Sequence, residues 1–236
     1  MPSDSARYLI FFQYLGTRYS GVMKAPPHQA VKGVQNYLEE AVRRLRPANA
    51  ISLHVSSRTD TGVHAICNSA HFDLQRQNGK PPLAEEVLVD ALNFHLRPES
   101  IRVTHAHRVH GAFHARFQAV SRTYVYRLAM GIRHHSCMPL TEDKLCWGIR
   151  SVGIQFWELT FRSRSFLYKQ VRRMTGALVA VGQGKMSVYG VKELLEAQDS
   201  LAYPQNLTAP PDGLFLARVD YDPLDLPPHT QDDSYS

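Results

Sequence analysis

Six segments with regular apolar spacing follow one another in the first 110 residues, and their order constrains the fold more than any other feature. The second segment, for example, places Val34, Leu38 and Val42 at helical spacing. The pattern reads strand, helix, strand, strand, helix, strand over residues 8–15, 31–45, 52–55, 67–74, 84–96 and 101–109. This order predicts an α+β half with an antiparallel sheet.

The rest of the chain predicts a second α+β half. Strands are expected at residues 122–129, 155–161 and 214–219, and helices at 165–181 and 188–198. Ser165 is the expected N-cap of the first of these helices, Gly182 its end, and Gly176 inside it indicates a close backbone approach. The predicted division is an N-terminal half over residues 1–115, a C-terminal half over 116–221, and a disordered Pro- and Asp-rich tail over 222–236.

Cysteine content and hydropathy exclude several classes of protein. Three cysteines in 236 residues are no disulfide framework and favour a reducing compartment. No apolar run reaches transmembrane length, and no secretory signal precedes the first strand. We therefore expect no membrane partner. The sequence leaves cytosol and mitochondrion open, because the short N-terminus has no clear transit peptide.

Positive charge is concentrated in three stretches that contain no Asp or Glu, although the net charge is only +6. The stretches are residues 41–59, 101–141 and 159–192, and the first ends directly before Asp60. They include Arg58, Arg116 and Arg172. Mixed-sign surfaces are the more usual arrangement, so these stretches favour a polyanionic partner such as nucleic acid. The alternative is that they form solvated faces that point in different directions.

Asp60 is the only carboxylate between Glu40 and Asp73, and it follows Arg58 on a Thr- and Gly-rich turn. A single acid in basic surroundings, on a loop held by a scaffold, is a candidate for chemistry. The simpler interpretation is an aspartate that caps its own turn. Asp60-Thr61-Gly62 also matches an aspartic protease triplet, but that chemistry needs two such carboxylates and the chain has one copy.

Two further side chains are candidates for the same site. Tyr124 alternates with Tyr126 on a strand flanked by arginines, and an aromatic ring on a basic sheet can stack on a base, whereas Tyr126 is expected in the core. Arg172 could pair with a buried carboxylate and keep it ionised. Zinc is the competing chemistry, but the spacing of His134, His135, Cys137 and Cys146, and of His110 and His114, matches no common zinc motif.

Four motifs in order resemble those of the bacterial tRNA pseudouridine synthase A family. The match runs from residue 8 to about 221, and the residues of the third motif are most similar to those of the animal pseudouridine-synthase-like-1 branch. The motifs are Ser57-Arg58-Thr59-Asp60-Thr61-Gly62-Val63-His64-Ala65, then Phe113-His114-Ala115-Arg116-Phe117 with Ser121-Arg122-Thr123-Tyr124-Val125-Tyr126, then Ser165-Phe166-Leu167 through Val171-Arg172-Arg173-Met174-Thr175-Gly176, and finally Ala209-Pro210-Pro211-Asp212-Gly213-Leu214-Phe215-Leu216.

The resemblance implies a pseudouridine synthase fold, with two ferredoxin-like halves around a mixed, mostly antiparallel sheet and a central basic cleft. It implies isomerisation of uridine to pseudouridine in tRNA or another structured RNA, without metal or organic cofactor, and it suggests a homodimer. Asp60 would be the nucleophile. Among the substrate-binding residues, Tyr124 would stack on the uracil and Arg58 would support the flipped-out nucleotide. Arg172 would hold Asp60 ionised, and Leu214 would line the pocket wall. Arg116 would also bind the substrate.

The chain departs from the family pattern at two places. Gly21-Val22-Met23 stands where the family has Gly-Trp-Gln. Several dozen family residues between the second and third motifs also have no counterpart, which suggests an internal deletion near Trp147–Gly148 or else a naturally short loop. A truncated second half would leave exposed strand edges. The alternative function is therefore an RNA-binding variant that is catalytically impaired.

Overall fold

The computed structural model describes residues 5–199 and 201–226, which form an α+β structure around one mixed sheet. Five strand pairs are antiparallel and two are parallel. The strands are β1 (Ser5–Tyr14), β2 (His54–Val55), β3 (His64–Gln75), β4 (Ile101–Val109), β5 (Ala119–Met130), β6 (Trp147–Ile149), β7 (Gln155–Ser163) and β8 (Leu214–Tyr221). The helices are α1 (Val34–Arg44), α2 (Glu85–Leu96), α3 (Gln170–Gly182) and α4 (Val188–Ala197).

The N-terminal half has the predicted strand–helix–strand–strand–helix–strand order. Strand β1 lies between β3 and β4 and is antiparallel to both, with Leu9 opposite His71 on one side and His107 on the other. Its central residues are buried, as is the inner stripe of α1, which includes Val34, Leu38 and Val42. Packing of these apolar faces forms the main core.

The two halves of the sheet join where β3 and β8 pair in parallel. His64 lies opposite Phe215 and Ala65 opposite Leu216. Strand β8 is in turn antiparallel to β5. The pairing places the loop that precedes β3, which carries Asp60, beside the start of β8.

The C-terminal half ends in an exposed strand. Strand β7 pairs with β5 along its whole length, and within the described residues no strand pairs with its other edge. Phe156 and Trp157 on β7 remain 50% and 57% exposed. Exposed apolar side chains on a free strand edge are a site for association with other chains.

One sequence-based expectation about this half is wrong, and one strand was not expected. Ser165 does not cap α3, which begins at Gln170 after Lys169 in a left-handed conformation (φ 55°). The chain leaves the helical course there because Phe166 packs edge-on against Tyr124, with ring centroids 5.2 Å apart. Strand β6, parallel to β5, was not expected.

Two packing expectations are confirmed. Tyr126 is fully buried. A Cβ at Gly176 would lie 1.9 Å from the carbonyl oxygen of Leu207, so only glycine allows this approach. In the expected tail, Pro223–Asp225 forms a short 3-10 turn, and residues 227–236 lie outside the described part.

The helices described for residues 5–199 and 201–226 are all too short or too polar to cross a lipid bilayer.

Candidate active site

The Asp60 loop connects β2 to β3 and is held in place on both sides of the carboxylate. The Val63 amide donates to the Asp60 carbonyl oxygen at 3.2 Å and closes a turn, in which Gly62 has a φ of 80°. The Thr59 hydroxyl is hydrogen bonded to the Tyr14 hydroxyl at 2.7 Å in the core. The loop is therefore a fixed platform for the Asp60 side chain.

Arg172 on α3 lies against the Asp60 carboxylate. Its Nη1 is 3.4 Å from Asp60 Oδ2, and the two side chains are 12% and 29% exposed. Arg172 Nε donates to the Ala209 carbonyl oxygen at 2.7 Å, and the Ala209 amide donates back to the Arg172 carbonyl oxygen at 3.1 Å. These bonds fix the guanidinium beside Asp60 and place a cation against its carboxylate.

Tyr124 on β5 completes the site with an aromatic ring. The ring is 8% exposed and packs against Phe166. Burial raises the pKa of the Tyr124 hydroxyl to about 12, the charge of Arg122 lowers it, and the charge of Asp60 raises it further. Tyr124 therefore keeps its proton at neutral pH and can donate it.

These side chains line a cavity of about 280 Å³, close to the lower end of the size range of small-molecule pockets. Among the described residues that line it, Asp60 is the only carboxylate, against three cations from Arg58, Lys169 and Arg172. The lining residues are Arg58, Thr59, Asp60, Val63, Tyr124, Phe166, Leu167, Tyr168, Lys169, Gln170, Val171, Arg172 and Leu214. The cavity thus combines a carboxylate, apolar walls and positive charge.

The structure brings five of the six predicted site residues together: Asp60, Tyr124, Arg58, Arg172 and Leu214 line this cavity. Arg116 is not among the described residues that line it, and its guanidinium instead lies 5.7 Å from the ring centroid of Phe117.

Arg122, which was expected to flank a base-stacking Tyr124, is 9% exposed and binds protein instead. Its guanidinium donates to the carbonyl oxygens of Arg116 at 2.7 Å and Arg164 at 2.6 Å. Its charge serves to hold these turns in place.

Sequence reasoning missed part of the cavity wall. Phe166 and Lys169 were assigned to the helix, and the exposed Tyr168 was not considered, although all three line the cavity. Sequence reasoning also missed the hydrogen bonds that hold His64. Its Nδ1 accepts from the Gly16 amide at 3.0 Å. The proton is therefore on Nε2, which donates to the Lys144 carbonyl oxygen at 3.0 Å. Burial lowers the pKa of His64.

The residues of the zinc alternative do not form a site in the described part of the chain. No group of three or more His, Cys, Asp or Glu side chains there is arranged to hold a metal ion. Cys146 is buried and its thiol donates to Glu142 Oε2 at 3.2 Å, whereas Cys137 is exposed.

The chain matches known proteins over most of its length. A family model described as tRNA pseudouridine synthase matches residues 10–118 and 131–222. A protein of Xenopus laevis named tRNA pseudouridine synthase-like 1 is 47% identical, over 96% of this chain and 95% of that protein. The human protein of the same name is 42% identical over 93% of this chain and 91% of its own length, and tRNA pseudouridine synthase A of Maricaulis maris is 33% identical over 91% of this chain and 98% of its own length.

The alignment with the Xenopus protein runs over 283 positions, more than the 236 residues of this chain, so dozens of positions in that relative have no counterpart here. The family assignment does not depend on those positions, because both halves match. The chain belongs to the tRNA pseudouridine synthase family, a family of isomerases, and within it to the branch of animal tRNA pseudouridine synthase-like 1 proteins.

Proposed function

We propose that this chain isomerises uridine to pseudouridine in tRNA, with Asp60 as the nucleophile. The observation that carries the proposal is the Asp60–Arg172 pair at 3.4 Å, in a cavity that also contains Tyr124. Covalent catalysis by a carboxylate needs that group held at a fixed position, and the contact with the fixed guanidinium supports this for Asp60. The names of the relatives support tRNA as the substrate.

In the proposed reaction, Asp60 attacks a flipped-out nucleotide at the sugar or at the uracil ring. The N1–C1′ bond breaks, the freed base turns, and a C5–C1′ bond forms. The bond between Asp60 and the nucleotide then breaks, which returns the free carboxylate. N1 gains a proton and C5 loses one to water, so the product is an isomer of the substrate. The proposed reaction uses no metal or organic cofactor.

The other cavity residues have roles in binding and proton transfer. Tyr124 stacks on the uracil, and its hydroxyl, which stays protonated at neutral pH, relays the proton that N1 gains. Leu214 forms the apolar wall beside the base. Arg58 is exposed at the rim, where it supports the flipped-out nucleotide. Lys169 adds positive charge for the phosphates.

The proposal is tested by tritium release from a tRNA transcript labelled at C5 of its uridines, because only a reaction that replaces the C5–H bond liberates the label. The wild-type protein should release tritium, and Asp60→Asn should not. Asp90→Asn is the matched control, because Asp90 is exposed on α2. It should behave as the wild type.

A second candidate function is RNA binding without effective catalysis. We propose that an internal deletion near Trp147–Gly148 removes part of the second half, which is supported by the exposed edge of β7 and by the long alignment gaps. Retained tRNA binding without tritium release by the wild type would favour this candidate. Loss of both activities would contradict both candidates.

A further inference from the structure

An exposed aromatic patch lies outside the cavity, around the turn between β4 and β5. We call the side chains of His54, His71, His114, Arg116 and Phe117 the Phe117 patch. The Phe117 ring is 71% exposed and lies 4.3 Å from the His114 ring, centroid to centroid. His114 contacts His71 at 4.7 Å, and His71 stacks on His54 at 4.9 Å. Four flat rings are thus in contact, and the outermost faces solvent.

The turn that carries Phe117 is held by internal hydrogen bonds. The Phe117 amide donates to the His114 carbonyl oxygen at 3.1 Å, and the His114 amide donates to the side chain of Gln118. The Ala115 amide donates to His71 Nδ1 at 3.1 Å, and the Ala115 carbonyl oxygen accepts from the Tyr221 hydroxyl at 2.7 Å. The exposed ring is therefore presented in a fixed position, which lowers the entropy cost of binding.

The electrostatics of the patch suit an anionic partner with flat groups. Burial and nearby cations lower the pKa of His71 to about 4 and also lower that of His114, so both rings are neutral at pH 7. The Arg116 guanidinium lies over the Phe117 ring at 5.7 Å. The charge of Asp73 raises the pKa of His71. That charge is balanced by Arg7, whose Nε and Nη2 donate to the two Asp73 carboxylate oxygens at 2.7 and 2.8 Å.

The patch is connected to the cavity through the buried Arg122. Its guanidinium donates to the carbonyl oxygen of Arg116, the residue before Phe117. It also donates to the Ser57 hydroxyl at 3.3 Å, next to Arg58. A third bond goes to the carbonyl oxygen of Arg164, two residues before Phe166 of the cavity wall. The backbone beside Phe117, the loop that carries Arg58 and the turn before Phe166 are therefore all within reach of one arginine side chain. From this proximity we expect an RNA strand with one nucleotide in the cavity to reach Phe117 with a nearby nucleotide.

We propose that the Phe117 patch is a second nucleobase-binding site, on which an unpaired base near the target uridine stacks while Arg116 contacts the adjacent phosphate. The inference rests on the proposed function for its ligand, an RNA strand. Stacking of a base on an aromatic side chain is sequence-tolerant and is favoured by a ring that is exposed and fixed, as Phe117 is. The Arg116 guanidinium beside this ring supplies positive charge for the phosphate. It also gives Arg116 a role outside the cavity.

The test measures the affinity for a tRNA transcript across a salt series, with all variants built on Asp60→Asn so that no turnover occurs. Phe117→Leu keeps an apolar side chain but removes the ring and should weaken binding about 5- to 100-fold. The slope of log Kd against log salt should not change, because no phosphate contact is lost. Arg116→Gln should reduce that slope by about one.

Two controls separate stacking from a structural effect. Phe117→Trp restores a stacking surface and should bind as tightly as the parent. Phe94→Leu changes a phenylalanine that is 69% exposed on α2 and should have no effect. Equal affinity of Phe117→Leu and Phe94→Leu, a reduced salt slope in Phe117→Leu, or failure of Phe117→Trp to restore binding would each overturn the inference. None of these readouts depends on tritium release, so this test and that of the proposed function fail separately.

Discussion

Asp60 Oδ2 and Arg172 Nη1 lie 3.4 Å apart although 112 positions separate the two residues in the chain. Asp60 is on the loop before β3 in the N-terminal half, and Arg172 is in the first turn of α3 in the C-terminal half. The candidate site therefore exists only when both halves are folded and joined through β3 and β8. We therefore expect the proposed activity to depend on the integrity of the C-terminal half.

Replacement of Arg172 should reduce catalysis more than RNA binding. Arg172→Met removes the cation beside Asp60 and the bond to Ala209, and kcat should fall about 100-fold. Arg172→Lys keeps the charge but cannot make both contacts, so an intermediate loss is expected. Lys192→Met, which removes an exposed pair with Glu196, is the control for a lost cation. Similar kcat values for Arg172→Met and the control would contradict this role.

Gly176→Ala should destabilise the protein because the new Cβ would meet the Leu207 carbonyl oxygen at 1.9 Å and the Tyr203 hydroxyl at 2.9 Å. Overpacking of this kind costs about 1–3 kcal/mol. The matched control is Gly182→Ala in the same helix, where the structure shows no heavy atom within 4 Å of the added Cβ. Urea unfolding should show a lower free energy of unfolding for Gly176→Ala only; equal values for the two variants would refute the close packing of α3.

Acid should destabilise the fold in part through His71. Its pKa is lowered to about 4 by burial, from an ordinary value near 6.5, so the unfolded chain takes up this proton first as the pH falls. Stability from the neutral ring is full above pH 6.5 and is lost between about 6.5 and 4, by about 3 kcal/mol. Urea titrations at several pH values measure this loss.

The variant for this prediction is His71→Asn, whose side-chain oxygen can accept the bond from the Ala115 amide. It should flatten the pH dependence of the unfolding free energy below pH 6.5. His28→Asn, at an exposed position, reports the general effect of replacing a histidine. An unchanged slope for His71→Asn would mean that other groups cause the acid sensitivity.

The free edge of β7 should promote self-association at high protein concentration. Trp157→Lys places a charge on this edge and should shift sedimentation profiles toward the monomer. Val87→Lys changes an apolar side chain that is 53% exposed on α2 and should leave the profiles unchanged. If both variants sediment as the wild type, the exposed edge does not drive association.

The sequence predicted the elements that have a strong local signal. The strand at Ile101–Val109 was found at its observed bounds, and the helix expected over residues 188–198 is Val188–Ala197. Asp60 was recognised because a lone acid among basic residues is visible without a structure. Arg172 was named as a cation of the predicted helix that could pair with a buried carboxylate, and the family resemblance linked it to Asp60.

Features that depend on distant contacts could not be read from the sequence. Three-residue β6 has no measurable periodicity, and the start of α3 is set by the packing of Phe166 on Tyr124. The burial of Arg122 and the displacement of Arg116 from the cavity follow from how the β4–β5 turn closes on the sheet. Charge alone does not distinguish an arginine that binds RNA from one that binds backbone carbonyl groups.

The most direct test of the account is single-turnover conversion of a tRNA transcript with the protein in excess, followed by digestion and chromatography of the nucleosides. The wild type should convert uridine to pseudouridine, whereas Asp60→Asn, with the same fold and tRNA affinity, should be at least about 10³-fold slower. Conversion by Asp60→Asn at a rate close to that of the wild type, or no conversion by a wild-type protein that binds the tRNA, would contradict the account.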